Sequence, residues 1–236
     1  MKKRLVAISL VVAMLAIAIV GGSLAYFTDE DDADNTFTMG NVDILLDEAK
    51  VNYDENTYKW TVDESGERVQ SNVYENIYPG AVMPKDPTVH NQGTMDAYVR
   101  VKVTITGYTN WANLMGNKLN VVGNAEKYTK SLVGEFGEGW SFVDAEAVPG
   151  THVGSDLVVT LQWDGVLKGG DSTTPVFQQV TLPTDFAHRS AGDTDRWINM
   201  VMGYDRTFEI LVKAEAIQAP SFDDAAAAWA AFDAEA

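Results

Sequence analysis

The sequence predicts a mainly all-β protein, an antiparallel β-sandwich of jelly-roll-like type, with short helical insertions and a C-terminal helix. Three observations carry this. Strand-like runs recur about every ten residues with turn chemistry between them. The clearest run, Ala97–Ile105, puts Val99, Val101, Val103 and Ile105 on one face and Tyr98, Arg100, Lys102 and Thr104 on the other. That is the pattern of an antiparallel strand with one face in a core. Helical patterning, by contrast, is confined to residues 107–133 and to the alanine-rich stretch 221–236.

The chain opens on Lys2-Lys3-Arg4, followed by an apolar run at residues 5–20 whose one hydroxyl is Ser9. Gly21-Gly22-Ser23-Leu24-Ala25 follows, with Ser23 and Ala25 at the −3 and −1 positions of an A-x-A-like site. A positive segment, an apolar segment and a small-residue site in that order read as a secretory signal peptide, residues 1–25, cut between Ala25 and Tyr26. A spanning helix wants about 20 apolar residues, and this run is shorter. The expectation is therefore an exported protein with no membrane segment after cleavage.

Composition agrees with export. The 236 residues include no cysteine, which excludes thiolate catalysis and cysteine-ligated zinc. The formal charge is −17. Loss of Lys2, Lys3 and Arg4 with the leader takes the basic count from 17 to 14 against 34 acidic residues, a charge of −20. Such a surface repels nucleic acid and anionic headgroups.

Residues 26–36 form an acidic segment centred on Asp29-Glu30-Asp31-Asp32, read as flexible. Calcium would need spaced carboxylates and a loop glycine, and that spacing is missing. The folded domain is placed at 37–220. Phe37 and Met39, then Val42, Ile44 and Leu46, alternate with a phase change near Gly40, as in a kinked strand. Tyr53, Tyr58, Trp60 and Val62 lie among turn residues and suggest hairpins. Pro79-Gly80 marks a turn, and Pro84 and Pro87 bound an edge-like segment. Residues 111–115 and 125–133 read as helices inserted on the β scaffold. Strands return at 140–144, 156–163, 175–182 and 206–218. Residues 221–236 read as a helix, with Ser221 able to cap it and Phe222, Trp229 and Phe232 able to pack on the body.

Two stretches carry a family resemblance. The first is Gly21-Gly22-Ser23-Leu24-Ala25-Tyr26-Phe27-Thr28-Asp29 with Asn35-Thr36-Phe37-Thr38-Met39-Gly40-Asn41-Val42-Asp43-Ile44. The second is Tyr78-Pro79-Gly80 with Asn91-Gln92-Gly93-Thr94-Met95-Asp96-Ala97-Tyr98-Val99-Arg100-Val101. Together they resemble the TasA/camelysin family of Gram-positive secreted proteins. The end, Ala214-Glu215-Ala216-Ile217-Gln218-Ala219, is similar to that family's last strand. The resemblance implies processing by a SipW-type signal peptidase and a role as a biofilm-matrix or cell-surface fibre subunit, with other copies or related matrix proteins as partners. It also implies that the freed segment can add as a strand to the next subunit, with Tyr26, Phe27 and Phe37 as its apolar groups. The acidic centre, residues 29–34, departs from an apolar alternating donor.

The camelysin name also implies a metallo-endopeptidase. A zincin needs His-Glu-x-x-His, so that two imidazoles one helical turn apart reach one metal. The three histidines, His90, His152 and His188, are far apart, and none is followed by Glu. They read as surface or hydrogen-bonded side chains. A Ser-His-Asp set is not excluded by spacing, but no Gly-x-Ser-x-Gly elbow supports one. The expectation is a non-enzymatic protein with no catalytic residues, metal or cofactor. A surface adhesin is a further alternative, with the aromatics between Tyr53 and Trp60 as its exposed contact.

Overall fold

Valines in strict alternation organise the fold. In the computed structural model, which describes residues 40–107, 122–150, 155–182, 184 and 209–235, Val99, Val101, Val103 and Ile105 are fully buried. The signal peptide, the cut between Ala25 and Tyr26, and the segment holding Phe27 and Phe37 lie outside the described residues, as does the expected helix at 111–115.

The strands run in chain order as β1 (Ile44–Ala49), β2 (Val51–Asp54), β3 (Lys59–Val62), β4 (Arg68–Val69), β5 (Val82–Pro84), β6 (Thr88–Asn91), β7 (Ala97–Ile105), β8 (Trp140–Pro149), β9 (Ser155–Trp163), β10 (Gln179–Thr181) and β11 (Ile210–Gln218). Helix α1 (Ala125–Val133) stands between β7 and β8, and α2 (Ala225–Glu235) follows β11. The largest sheet is antiparallel, in the order β11-β7-β9-β8. Its register aligns the apolar rows: Val101 faces Leu161 on β9 and Ala214 on β11, and Val103 faces Val159 and Val212. Rows in register bury a continuous surface, the main favourable term in folding.

The other layer combines β4-β1-β6, β5-β10 and the β2–β3 hairpin. Val89 of β6, Met83 of β5, Val180 of β10 and the buried Phe177 join the inner residues of β7 and β9 in one core, with Leu132 and Val133 of α1. The result is the antiparallel, mainly-β sandwich that the alternation predicts. None of the described helices is long and apolar enough to cross a membrane.

Several elements depart from the sequence reading. β8 runs to Pro149 rather than stopping at 144, with a bulge between Phe142 and Asp144 that leaves Val143 exposed. The bulge breaks the period of two, so alternation alone ends the strand early. Of the expected strand at 175–182, only Gln179–Thr181 pairs. Val176 is buried without joining a ladder, its N–H donating to the Pro87 carbonyl at 2.8 Å. β11 is described from Ile210 onward. Helix α2 starts at Ala225, capped by Asp224 and not by Ser221: the Ala227 N–H donates to Asp224 Oδ1 at 2.8 Å, while Ser221 Oγ accepts from Gln218 Nε2. The chain bends at 222–224 before it can wind, and that moves the cap three residues on.

Two burial expectations also fail. β7 is buried on both faces around Arg100, because α2 covers its outer side. Trp60 is buried, not a surface contact. The β2–β3 hairpin folds its inner face onto residues 74–78, and Trp60 packs among Tyr53, Tyr74 and Tyr78.

Candidate functional site

Two features stand out among the described residues, a cleft along one sheet edge and a polar row across the other layer. The cleft begins with β11. In an antiparallel ladder, alternate residues turn their N–H and C=O to one neighbour. The Ala219 N–H donates to Asp96 and the Glu209 carbonyl accepts from Thr106, so the odd-numbered residues of β11 face β7. The even-numbered ones, Ile210 to Ala216, turn their peptide groups away from it. Among the described residues no strand pairs with that second edge.

A cavity of about 770 Å³ runs beside this edge. Leu46, Ile77, Met83, Val180 and Val212 give it apolar walls. Both inner-face Ile210 and outer-face Leu211 line it, so it follows the edge of β11 and not one face of the sheet. At its far side Glu48 continues the inward phase of Ile44 and Leu46, and it is only 3% exposed. A carboxylate buried this deeply needs partners. Lys85 Nζ supplies one at 2.6 Å, and the Asn72 N–H donates to its other oxygen at 2.8 Å.

The polar row uses the opposite phase of β1. Asp47 on β1 has two diagonal neighbours across three strands, His90 on β6, which is opposite Leu45, and Arg68 on β4, which is opposite Ala49. Arg68 Nε lies 2.5 Å from Asp47 Oδ1, His90 Nε2 lies 2.8 Å from the same oxygen, and His90 Nδ1 lies 2.6 Å from Ser172 Oγ. Arg68 also reaches Asp86 at 3.1 Å. Partial burial pushes the Asp47 carboxyl up, but the bonds from Arg68 and His90 outweigh it and hold it below the ordinary carboxylate range.

Serine, histidine and aspartate thus do come together, which the spacing left open. Their geometry is that of cross-strand pairs. A serine hydrolase aims the N–H after its nucleophile at the developing oxyanion. Here that group, the Thr173 N–H, donates to the Val89 carbonyl at 2.9 Å. The arrangement ties strands together and offers no oxyanion donor at that position.

With this geometry in place, the comparisons decide the family. The family model described as camelysin metallo-endopeptidase matches residues 1–120. The chain belongs to the camelysin family. No curated protein and no solved structure matches it. The matched span contains the cleft wall from Leu46 to Lys85, the polar row as far as His90, and all of β7.

The family's description implies a metal, so the residues of this camelysin-family chain must be tested against one. Both ring nitrogens of His90 are already bonded, to Asp47 and Ser172. Among the described residues no three His, Asp or Glu side chains stand together as ligands. The described residues therefore do not fit a catalytic zinc centre, which needs three protein ligands and an open position. His152 and His188 lie outside them. The expected donor contacts Tyr26, Phe27 and Phe37 are likewise not placed.

Sequence reasoning missed the cleft. One signal was available: Glu48 interrupts the apolar phase of Ile44 and Leu46, and an inward carboxylate marks either a buried pair or a site. Nothing in the sequence announces that Lys85, 37 positions later, answers it.

Proposed function

We propose that this camelysin-family chain is a secreted, non-enzymatic structural protein, a subunit of extracellular-matrix or cell-surface fibres. Copies join head to tail when the segment following a cut at Ala25, with Tyr26, Phe27 and Phe37 as its apolar groups, adds as a strand to the next subunit. A SipW-type peptidase makes that cut. The observation that supports this reading best is the cleft beside β11. A strand edge without a partner among the described residues, bordered by apolar walls, suits an added strand: peptide groups pair along the edge while alternate side chains fill the cleft. A contact between two different surfaces does not close on itself, so it propagates as a fibre.

The test compares protein beginning at Tyr26 with protein lacking residues 26–35, by sedimentation and negative-stain microscopy. Filaments from the first and monomers from the second are expected. Monomers from both overturn strand donation as a property of the chain itself.

The family description favours a second reading, a metallo-endopeptidase. Stoichiometric zinc in the purified protein, lost on His→Ala substitution together with peptide-bond cleavage, would replace the structural reading with that one.

A further inference from the structure

We infer that the tip of the β2–β3 hairpin and the facing residues 76–78 form a binding site for a neutral polysaccharide. This does not rest on strand donation, because a single subunit carries all the groups involved.

The site is an open cavity of about 1000 Å³ lined by Tyr53, Glu55, Tyr58, Asn76 and Tyr78 together with Thr57 and Ile77. Its tyrosines are backed by an indole that does not itself line the cavity. Trp60, 5% exposed, is anchored in the core, with Tyr53 at 4.9 Å and Tyr78 stacked on it at 6.2 Å and 27°. Above this indole the rings return to solvent: Tyr78 is 39% exposed and Tyr58 63%. Single exposed apolar side chains are ordinary, but rings grouped in one exposed patch mark contact sites, and Tyr58 and Tyr78 line the same cavity.

The backbone singles out the same place. Among the described residues other than glycine, only Tyr58 and Asn76 have positive φ, both at 56°. Asn tolerates that region, whereas a bulky ring is an outlier there. Both residues line this cavity. Strain of this kind persists where surrounding bonds fix it, and it gathers at binding sites. The bonds are present. The Tyr58 N–H donates to the Asp54 carbonyl at 2.8 Å, and the Tyr78 hydroxyl donates to the Tyr58 carbonyl at 3.1 Å. Asp54 holds the turn from below, its carboxylate accepting from the Asn56 N–H and the Thr57 hydroxyl, both at 2.8 Å. The Tyr58 ring is presented on a turn that is already set.

The unused polar groups indicate the ligand. The carboxylate of Glu55, the amide of Asn76 and the hydroxyls of Tyr53 and Tyr58 border the rings and make no side-chain hydrogen bond among the described residues. A sugar ring offers an apolar C–H face to a tyrosine and a rim of hydroxyl donors to a carboxylate or amide. A proline-rich peptide would also stack on tyrosines, but its prolines carry no N–H for Glu55, and the Trp60 indole is buried rather than offered to its carbonyls. Among the described residues no Lys or Arg lines the cavity, and the chain carries a net charge of −17, so acidic glycans are repelled.

The experiment is native electrophoresis of the full chain in gels cast with laminarin, dextran, galactomannan or alginate, with a plain gel as reference. Retardation in at least one neutral gel and none in alginate is expected. Tyr58→Gly is the decisive variant. It removes the ring while relieving the positive φ that glycine accepts without cost, so the fold is kept or strengthened. Its affinity for the retarding glycan should fall at least tenfold, with the thermal midpoint unchanged or raised. Tyr78→Ala should lose a similar factor. No retardation in any neutral gel overturns the proposal, as does undiminished retardation of Tyr58→Gly, stronger retardation in alginate, or binding of a decaproline peptide in place of the glycans.

Discussion

The guanidinium carbon of Arg100 lies 4.3 Å from the centroid of the Trp229 indole. Phe232 covers the same group at 5.2 Å, Glu215 Oε2 meets Arg100 Nε at 2.7 Å, and Asp233 accepts from both terminal nitrogens. One charged residue in the middle of β7 thus fastens α2 to the outer face of the large sheet. Trp229 is nearly buried, so Trp229→Ala should lower unfolding free energy by about 3 kcal/mol through lost packing and lost cation–π contact. Arg100→Lys, which cannot serve Glu215 and Asp233 in one plane, should cost about 1–2 kcal/mol. Denaturant midpoints at constant slope check both.

Acid should loosen this fastening. Burial pushes the Glu215 carboxyl up, but bonds from Lys213 and Arg100 outweigh it and leave its pKa below the ordinary 4.5; Asp47 lies below its ordinary 3.8 for the parallel reason given above. A carboxyl whose folded pKa is depressed stabilises the fold fully above its unfolded pKa and loses that contribution as pH falls through the folded one. Stability should therefore hold above about pH 5 and decline below pH 4.5 and 3.8 in turn. Acid also relieves the repulsion within a chain of charge −17. The informative quantity is thus the difference between the parent and Glu215→Gln. The gap in their urea midpoints should narrow as pH drops from 7 to 3; a constant gap would contradict the assignment.

What could be read in advance follows the range of the interactions. The core row Val99, Val101, Val103 and Ile105 was legible because a period of two needs no partner to be seen, and α1 because its apolar spacing is local. Trp60 was misread because its burial depends on Tyr74 and Tyr78, which reach it only after the hairpin folds back. Arg100 looked like the solvent side of a strand, since its cover comes from Trp229 and Asp233 well over a hundred positions later. The cleft is the extreme case. Its walls come from β1, β5, β10, β11 and the irregular stretch near Ile77, and an edge can be called open only once the sheet order is known.

The open edge of β11 can be tested without touching the fold's own ladder. The Ala214 N–H turns away from β7, so Ala214→Pro removes a donor from the edge that is unpaired among the described residues and leaves the ladder bonds that Lys213 and Glu215 make with Lys102 and Arg100 in place. The variant should fold, with far-UV circular dichroism like that of the parent and a stability loss of about 1 kcal/mol from the added ring atoms. Its filaments should be few or absent. If Ala214→Pro assembles as well as the parent, subunits do not join along this edge.

The Glu48–Lys85 pair sits in the wall of the same cleft, and its two halves should prove strongly non-additive. Lys85→Met leaves a carboxylate that is 3% exposed with only the Asn72 N–H as a partner among the described residues. Removing one member of a buried pair costs about 3–5 kcal/mol, because the remaining charge stays without its counterpart. Glu48→Gln in the same chain keeps the acceptor for Asn72 and removes the charge. The double variant should therefore recover most of the loss, giving a coupling of about 2 kcal/mol in a double-mutant cycle. Additive losses would mean that Lys85 and Glu48 stabilise the wall separately, as packing residues, and that the pair does not set the electrostatics of the cleft. A large coupling makes the pair the charged boundary that any incoming strand must pass, so its neutral variant should assemble with a weaker dependence on salt.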